Sequence, residues 1–216
     1  MTAGSILPIT IIKNQLYFLF GKENSMEDSH KGFSDFGGGC ENNETPFQTA
    51  LREGAEETTF FFGNKNDVKK MIHKAGGFYP LVYNNYHCHL FFLNYDENLV
   101  KYYNNNHINL WNRFNKKQLN DSKLFEKIEL KWFSIRELKT KRHLFRKFYR
   151  EIIDKILDEL SLIKKFIRSK KNKSIKNICR RGGVADETET LNSGDTVERV
   201  YFNKNNNNKT IKKYKK

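Results

Sequence analysis

The 216-residue sequence predicts an α/β fold. Two observations predict it. Apolar runs of strand length, bounded by turn residues, occur at 6–12, 16–20, 81–83, 86–95 and 125–135. Among them lie stretches with helical spacing of apolar residues, at 45–57, 67–75 and 143–166. The length suits one domain with a sizeable core plus extensions. Hydrophobic residues make up only 38% of the chain, but 18 Phe and 10 Tyr bring large apolar bodies to that core.

Taken in order, the first two strands are separated by Lys13-Asn14-Gln15 and read as a hairpin. Residues 21–32 are polar and loop-like, and Phe33-Ser34-Asp35-Phe36 forms a short strand leading into Gly37-Gly38-Gly39. Gly76-Gly77 ends the helix at 67–75, and Asn84-Asn85 turns one strand into the next. On that second strand His87 and His89 share a face while Cys88 points the other way, so ordinary strand residues are expected there, not a metal site. Residues 97–123 are polar, Asn-rich and longer than an ordinary connection. Their aromatics Tyr102, Tyr103, Trp111 and Phe114 either stack a base or cover a local apolar patch, and the second is the simpler expectation. In 143–166, Leu144, Phe148, Ile152, Ile156 and Leu160 recur every four residues, with Phe145, Ile153 and Leu157 beside them. Basic flanks make a membrane-surface helix conceivable, but such a stripe is expected to close a core.

The helix at 45–57 is the unusual one. Thr45, Pro46 and Gln48 supply an N-cap, a first-turn proline and the third residue of a capping box. Glu53, Glu56 and Glu57 then fall on one face within about one turn, opposite an apolar face of Phe47, Leu51, Gly54, Ala55 and Thr58. Like charges at this spacing repel by roughly 0.2–0.5 kcal/mol per pair, and an interior glycine costs about 1 kcal/mol more. Two local rules broken in one helix point to a functional site, and a hard divalent cation with oxygen ligands is the simplest compensation.

Gly38, five residues, Glu44, seven residues, then Arg52-Glu53 and Glu56-Glu57 resembles the Nudix box of the Nudix hydrolases. Two positions depart from the pattern. Gly54 replaces an apolar residue and is expected to weaken packing; Thr59 stands where the family has a glycine, and Thr is poor at positive φ. The aromatic approach at Phe33 and Phe36, and the pattern from Glu126 to Leu138, extend the resemblance to about residue 160. It implies an α/β/α sandwich with a mixed sheet and a closing C-terminal amphipathic helix, with the domain at 1–168; beyond Arg168 the chain loses periodicity and its Lys/Asn runs read as a disordered basic tail at 169–216. The resemblance also implies that Glu53, Glu56, Glu57 and the Gly38 carbonyl hold Mg²⁺ or Mn²⁺. That ion activates a water against the pyrophosphate of a nucleoside diphosphate linked to another moiety. Arg52 is expected to hold the carboxylates in register by pairing with Glu56 and reaching Glu44. Family members differ in the general base: Glu53 is preferred here, with Glu126 and Glu129 as the candidates outside the box. Strand alternation allows at most one of those two to face the metal.

The charge is unevenly spread. Residues 161–216 hold 16 Lys and Arg against five Asp and Glu, so most of the net charge of +14 lies there. Such a tail binds RNA non-specifically or is merely solvated, and Lys/Asn enrichment throughout the chain favours neither. Together with the aromatic insertion it leans the substrate toward capped RNA over a small nucleotide. The Lys/Asn-rich make-up and divergent box resemble Nudix proteins of large DNA viruses. Cys40, Cys88 and Cys179 are widely spaced, which fits a reducing compartment, and the absence of a membrane-length apolar run or a signal-type N-terminus makes an intracellular, cytoplasmic protein the expectation. The competing reading is a non-catalytic Nudix-fold module that binds nucleotides or RNA; the full set of box carboxylates argues against it. The oligomeric state is left open.

Overall fold

The computed structural model describes residues 1–24, 31–115, 117, 126–181, 196–203 and 208–215. The chain divides into two compact units, Met1–Lys170 and Lys171–Lys216. The first is an α/β/α sandwich around a seven-stranded mixed sheet. Strands β1 (Ala3–Ile12) and β2 (Gln15–Glu23) form the expected hairpin, and Lys13 and Asn14 both adopt positive φ, as a tight two-residue turn requires. The two strands pair only over Ile9–Ile12 and Gln15–Phe18. Beyond that point β3 (Phe33–Ser34) pairs with β2, and β4 (Phe36–Gly39) pairs with β1. The glycine loop is thereby laid beside Gly4 and Ser5.

β5 (Phe78–Tyr83) and β6 (Tyr86–Phe92) complete one side, with β6 parallel to β1, and β7 (Lys127–Ser134) lies along the other edge of β2. Alternation along β1 sends Ile6 to one face and Leu7 and Ile9 to the other, so the sheet carries two cores. The first lies under α1 (Pro46–Glu56), α2 (Lys65–Lys74) and α3 (Glu97–Trp111). The second lies under α5 (Tyr149–Asp158) and the first turns of α6 (Leu160–Arg181), with the short α4 (Ile135–Thr140) at the end of β7.

Two elements differ from the sequence expectation. The closing helix at 143–166 is not continuous. Phe145 is buried and bridges to Phe33, whose carbonyl accepts the Arg146 N–H at 3.1 Å, so the chain here follows β3 and turns helical only at Tyr149. Leu144 and Phe148, which the four-residue spacing assigns to the buried stripe, are exposed. Within 97–123, the first part is helical. Asp96 caps α3, and the Asn104 amide donates to the Leu130 carbonyl (3.1 Å) and accepts its N–H (2.8 Å), so it seals the open edge of β7. Tyr103 is a core residue whose hydroxyl donates to the Lys127 carbonyl at 2.8 Å. Tyr102 and Phe114 are exposed, and Trp111 stacks on His107.

The second unit contains the end of α6 and an antiparallel pair, β8 (Thr196–Asn203) and β9 (Asn208–Lys215). Most of 116–125, part of the polar loop at 21–32, and 182–195 of the basic tail lie outside the described residues.

Candidate active site

Helix α1 begins as its sequence dictates. Thr45 Oγ1 accepts the Gln48 N–H at 3.3 Å, Gln48 Oε1 accepts the Thr45 N–H at 2.8 Å, and Pro46 opens the first turn. Its buried face of Ala50, Leu51, Gly54 and Ala55 packs on the sheet. A Cβ at position 54 would sit 2.4 Å from Ile6 Cδ1. Gly54 therefore does not leave the packing loose, because Ile6 occupies the space.

The exit from α1 resolves the second departure from the box. The Phe60 N–H bonds to the Ala55 carbonyl and the Thr59 N–H to the Glu56 carbonyl, both at 2.8 Å, which is the bond pair of a Schellman ending. Thr59 adopts φ 51° and Phe60 φ 56°, so the chain takes the glycine-type turn without glycine. Thr58 Oγ1 donates to the Gly54 carbonyl at 2.7 Å and ties off the last turn.

Arg52 lies at the centre of the acidic face. Its Nε and Nη2 grip the two oxygens of Glu44 at 3.0 Å each, and its Nη1 reaches Glu53 Oε1 (2.8 Å) and Glu56 Oε2 (3.2 Å). Glu44 also accepts from Thr49 Oγ1 and the Glu41 N–H. The guanidinium holds the Glu44 carboxyl down at about 2. Glu53 feels the opposite pull: burial pushes its carboxyl above the usual range, and Arg52 only partly offsets this. Glu53 also packs against the glycine loop, where a Cβ on Gly38 would lie 2.4 Å from its Oε1. Glu56 is half-exposed.

Glu57 turns inward. It is buried, its Oε2 accepts the Gly37 N–H at 2.6 Å, and its Oε1 lies 3.1 Å from Lys127 Nζ. Lys127 is fully buried, and its ammonium also meets Glu23 and donates to Ser34 Oγ (2.8 Å), while Arg146 Nη1 reaches Glu23 at 2.7 Å. Burial alone would push the Lys127 pKa down, but Glu57 and Glu23 outweigh it and hold it above the ordinary value. Gly21 makes room for this side chain, since a Cβ there would strike Lys127 Cγ at 2.7 Å. Sequence reasoning missed Lys127, Glu23 and Ser34. A lysine in a strand ordinarily reads as solvent-facing, so no local signal marks it.

The two outside glutamates flank a β-bulge, where the β2–β7 register shifts between the Lys22–Glu129 and Glu23–Lys127 pairs. Glu129 faces outward and pairs with Lys22 at 3.6 Å. Glu126, just before β7, is close enough to Glu57 to push that carboxyl further up. His89 is a core residue whose Nδ1 meets the Ser5 carbonyl (2.9 Å). Cys88, with Ser5 and Tyr86, donates to the buried Asp35 on the opposite side of the sheet from α1.

The sequence matches the NUDIX domain profile over residues 9–156. The chain belongs to the Nudix family. It is a Nudix hydrolase, of the class that cleaves phosphoanhydride bonds. Among solved structures it is similar to an Ap4A hydrolase of C. elegans in a binary complex, at 14% identity and TM-score 0.42, over 74% of this chain and 97% of that one. It is also similar to the NUDIX domain of Shewanella oneidensis NrtR complexed with ADP ribose, at 13% identity and TM-score 0.42, over 74% of this chain and 88% of that one. No curated protein matches the sequence.

Members of the Nudix family generally use divalent metals, and the donor set of this chain fits one in part. Glu53 and Glu56 both reach the same Arg52 nitrogen, and Glu53 lies against Gly38, so two hard carboxylates are gathered beside the glycine loop. Glu57 reaches the same loop at the Gly37 N–H and pairs with Lys127 through its other oxygen. Among the described residues, no three Asp, Glu, His or Cys side chains converge on one point.

Proposed function

We propose that this Nudix hydrolase cleaves the pyrophosphate of a nucleoside diphosphate linked to another moiety, with Mg²⁺ or Mn²⁺ held by Glu53, Glu56, Glu57 and the Gly38 carbonyl. The observation that carries the reading is the Arg52 fork, which fixes Glu44, Glu53 and Glu56 relative to the glycine loop. A bound divalent cation supplies Lewis-acid stabilisation of the phosphate oxygens and a more acidic water. Glu53, whose burial favours the protonated form, takes the proton from the attacking water at its carboxylate. Glu126 is the alternative acceptor, since Glu129 is tied to Lys22 outside the site. Arg52 positions these carboxylates and takes no proton.

Within this class, capped RNA is the substrate we favour. Its support is the excess of Lys and Arg after residue 160, the exposed aromatics Tyr102 and Phe114, and a composition resembling Nudix proteins of large DNA viruses. A reducing, cytoplasmic setting is supported by the unpaired Cys40 and Cys88. No described helix is long and apolar enough to cross a membrane.

The test incubates the protein and its Glu56→Gln variant with Mg²⁺ or Mn²⁺, a panel of nucleoside diphosphate derivatives and cap-labelled RNA. Metal-dependent release of a mononucleotide or capped-nucleotide product, lost in the variant, supports the enzyme, and the preferred member of the panel identifies the substrate. No turnover of any member alongside tight RNA binding would instead establish a binding module. Deleting 171–216 checks the RNA contribution: the salt dependence of RNA binding should flatten, and an unchanged slope would remove the tail from the reading.

A further inference from the structure

We infer that Lys127 is a built-in cation that keeps Glu57 out of the metal's ligand sphere, so that Glu57 serves this chain by fixing the glycine loop. The inference rests on the metal reading above and alters its ligand set.

Both Glu57 oxygens are committed. Oε2 takes the Gly37 N–H at 2.6 Å, and Oε1 takes the Lys127 ammonium at 3.1 Å. The ammonium is itself held in place by Glu23 and Ser34, and Glu23 is held by Arg146. Lys127 has no solvent exposure and Glu57 only 5%. A charge at that depth is retained only when it is paired, so withdrawing Glu57 toward an exterior ion would leave a buried ammonium one partner short. The exterior carboxylates differ: Glu56 is half-exposed, and Glu53 stands at the Gly38 backbone. The division of labour follows. Glu53, Glu56 and the Gly38 carbonyl face the metal, while Glu57 anchors Gly37 and so aims the carbonyl of the next residue. Lys127 is a positioning residue that acts through Glu57.

Mn²⁺ binding, read from the electron paramagnetic resonance signal of the free ion, tests this independently of turnover. Glu57→Gln keeps a carbonyl oxygen for the Gly37 N–H, and Glu23 remains to pair the Lys127 ammonium, so it should hold Mn²⁺ within about threefold of the wild-type affinity, whereas Glu56→Gln should lose at least tenfold. Lys127→Met alone strands Glu57 and is prone to misfolding; the double variant Glu57→Gln/Lys127→Met removes both charges together and avoids this. It should bind the same number of Mn²⁺ ions as the wild type. Lys127→Arg, which keeps the charge, should leave the free Mn²⁺ signal at each total concentration as in the wild type. Equal losses in Glu57→Gln and Glu56→Gln would make Glu57 a ligand and overturn this inference while leaving the metal reading intact. Absence of Mn²⁺ binding to the wild-type protein would overturn both.

Discussion

Ile6 fills the space that any side chain at position 54 would need: a Cβ on Gly54 would lie 2.4 Å from Ile6 Cδ1 and 2.7 Å from Cγ1. The glycine and the isoleucine are one packing solution, which brings α1 close to β1. Gly54→Ala gains about 1 kcal/mol of helix propensity, but overpacking costs about 1–3 kcal/mol, so a net loss is expected. Ile6→Ala alone should cost about 2–5 kcal/mol. In the double variant the new methyl occupies part of the vacated volume, so the two effects should couple favourably by about 0.5–3 kcal/mol. Urea unfolding of the four proteins measures the cycle. Strict additivity would show that the two sites do not share this space.

Thr59 holds φ 51° at the end of α1, a conformation that costs a β-branched residue roughly 1–2 kcal/mol. Thr59→Gly should therefore stabilise the domain by about 0.5–1 kcal/mol after the added freedom of the unfolded chain is counted. Activity should be retained, because the turn already has the Schellman bonds. A raised thermal midpoint with unchanged Mg²⁺-dependent turnover is the expected result; a lowered midpoint would mean the threonine side chain contributes more than its backbone costs.

These two positions show what a single sequence conveys. The strands, the β1–β2 turn and the Thr45 cap were legible because local rules determine them: period-two alternation, positive φ at Lys13 and Asn14, and a capping box closed within four residues. The departures at Gly54 and Thr59 were visible, but their consequences were not, since the first depends on Ile6 far along the chain and the second on backbone bonds. Likewise the four-residue stripe at 143–166 was real, yet Phe145 pairs with β3 and the helix begins six residues late. Lys127 was illegible for the same reason. Its burial requires Glu23, Ser34 and Glu57, three residues that only the fold brings together.

Acid should release the Arg52–Glu44 pair only at the low end of the carboxylate range. Glu44 has a folded pKa of about 2 against an ordinary value of 4.5, because Arg52 bonds its carboxylate. A carboxyl depressed on folding binds fewer protons folded than unfolded, so its contribution is full above about 4.5 and is lost as the pH falls toward about 2. Glu44→Gln should flatten the pH dependence of stability in that window. Its direct cost at neutral pH should be modest, since the pair is partly solvated. Chemical denaturation between pH 2 and pH 7 measures both, and a Glu44→Gln curve parallel to the wild type would show that Glu44 does not titrate in this window. Arg52→Lys tests the fork geometry: one ammonium cannot bond both Glu44 oxygens and still reach Glu53 and Glu56, so metal-dependent activity should fall by at least tenfold.

The last prediction separates the three glutamates considered for proton transfer. Glu129 faces outward and shares an exposed ion pair with Lys22, so Glu129→Gln should leave turnover within about threefold of the wild type. Glu53 lies against Gly38 in the acidic cluster, and Glu53→Gln should lower kcat by about 10²–10⁴ if it accepts the proton. That variant also touches a proposed ligand, so Mn²⁺ affinity must be measured alongside, and the rate compared at saturating metal. Glu126, just before β7, is close enough to raise the Glu57 carboxyl, and Glu126→Gln changes no proposed ligand. A loss of 10²-fold or more in Glu126→Gln, with Glu53→Gln recovering at high metal, would transfer the role of base to Glu126. A large loss in Glu53→Gln that persists at saturating metal, with Glu126→Gln little changed, assigns the proton to the box itself.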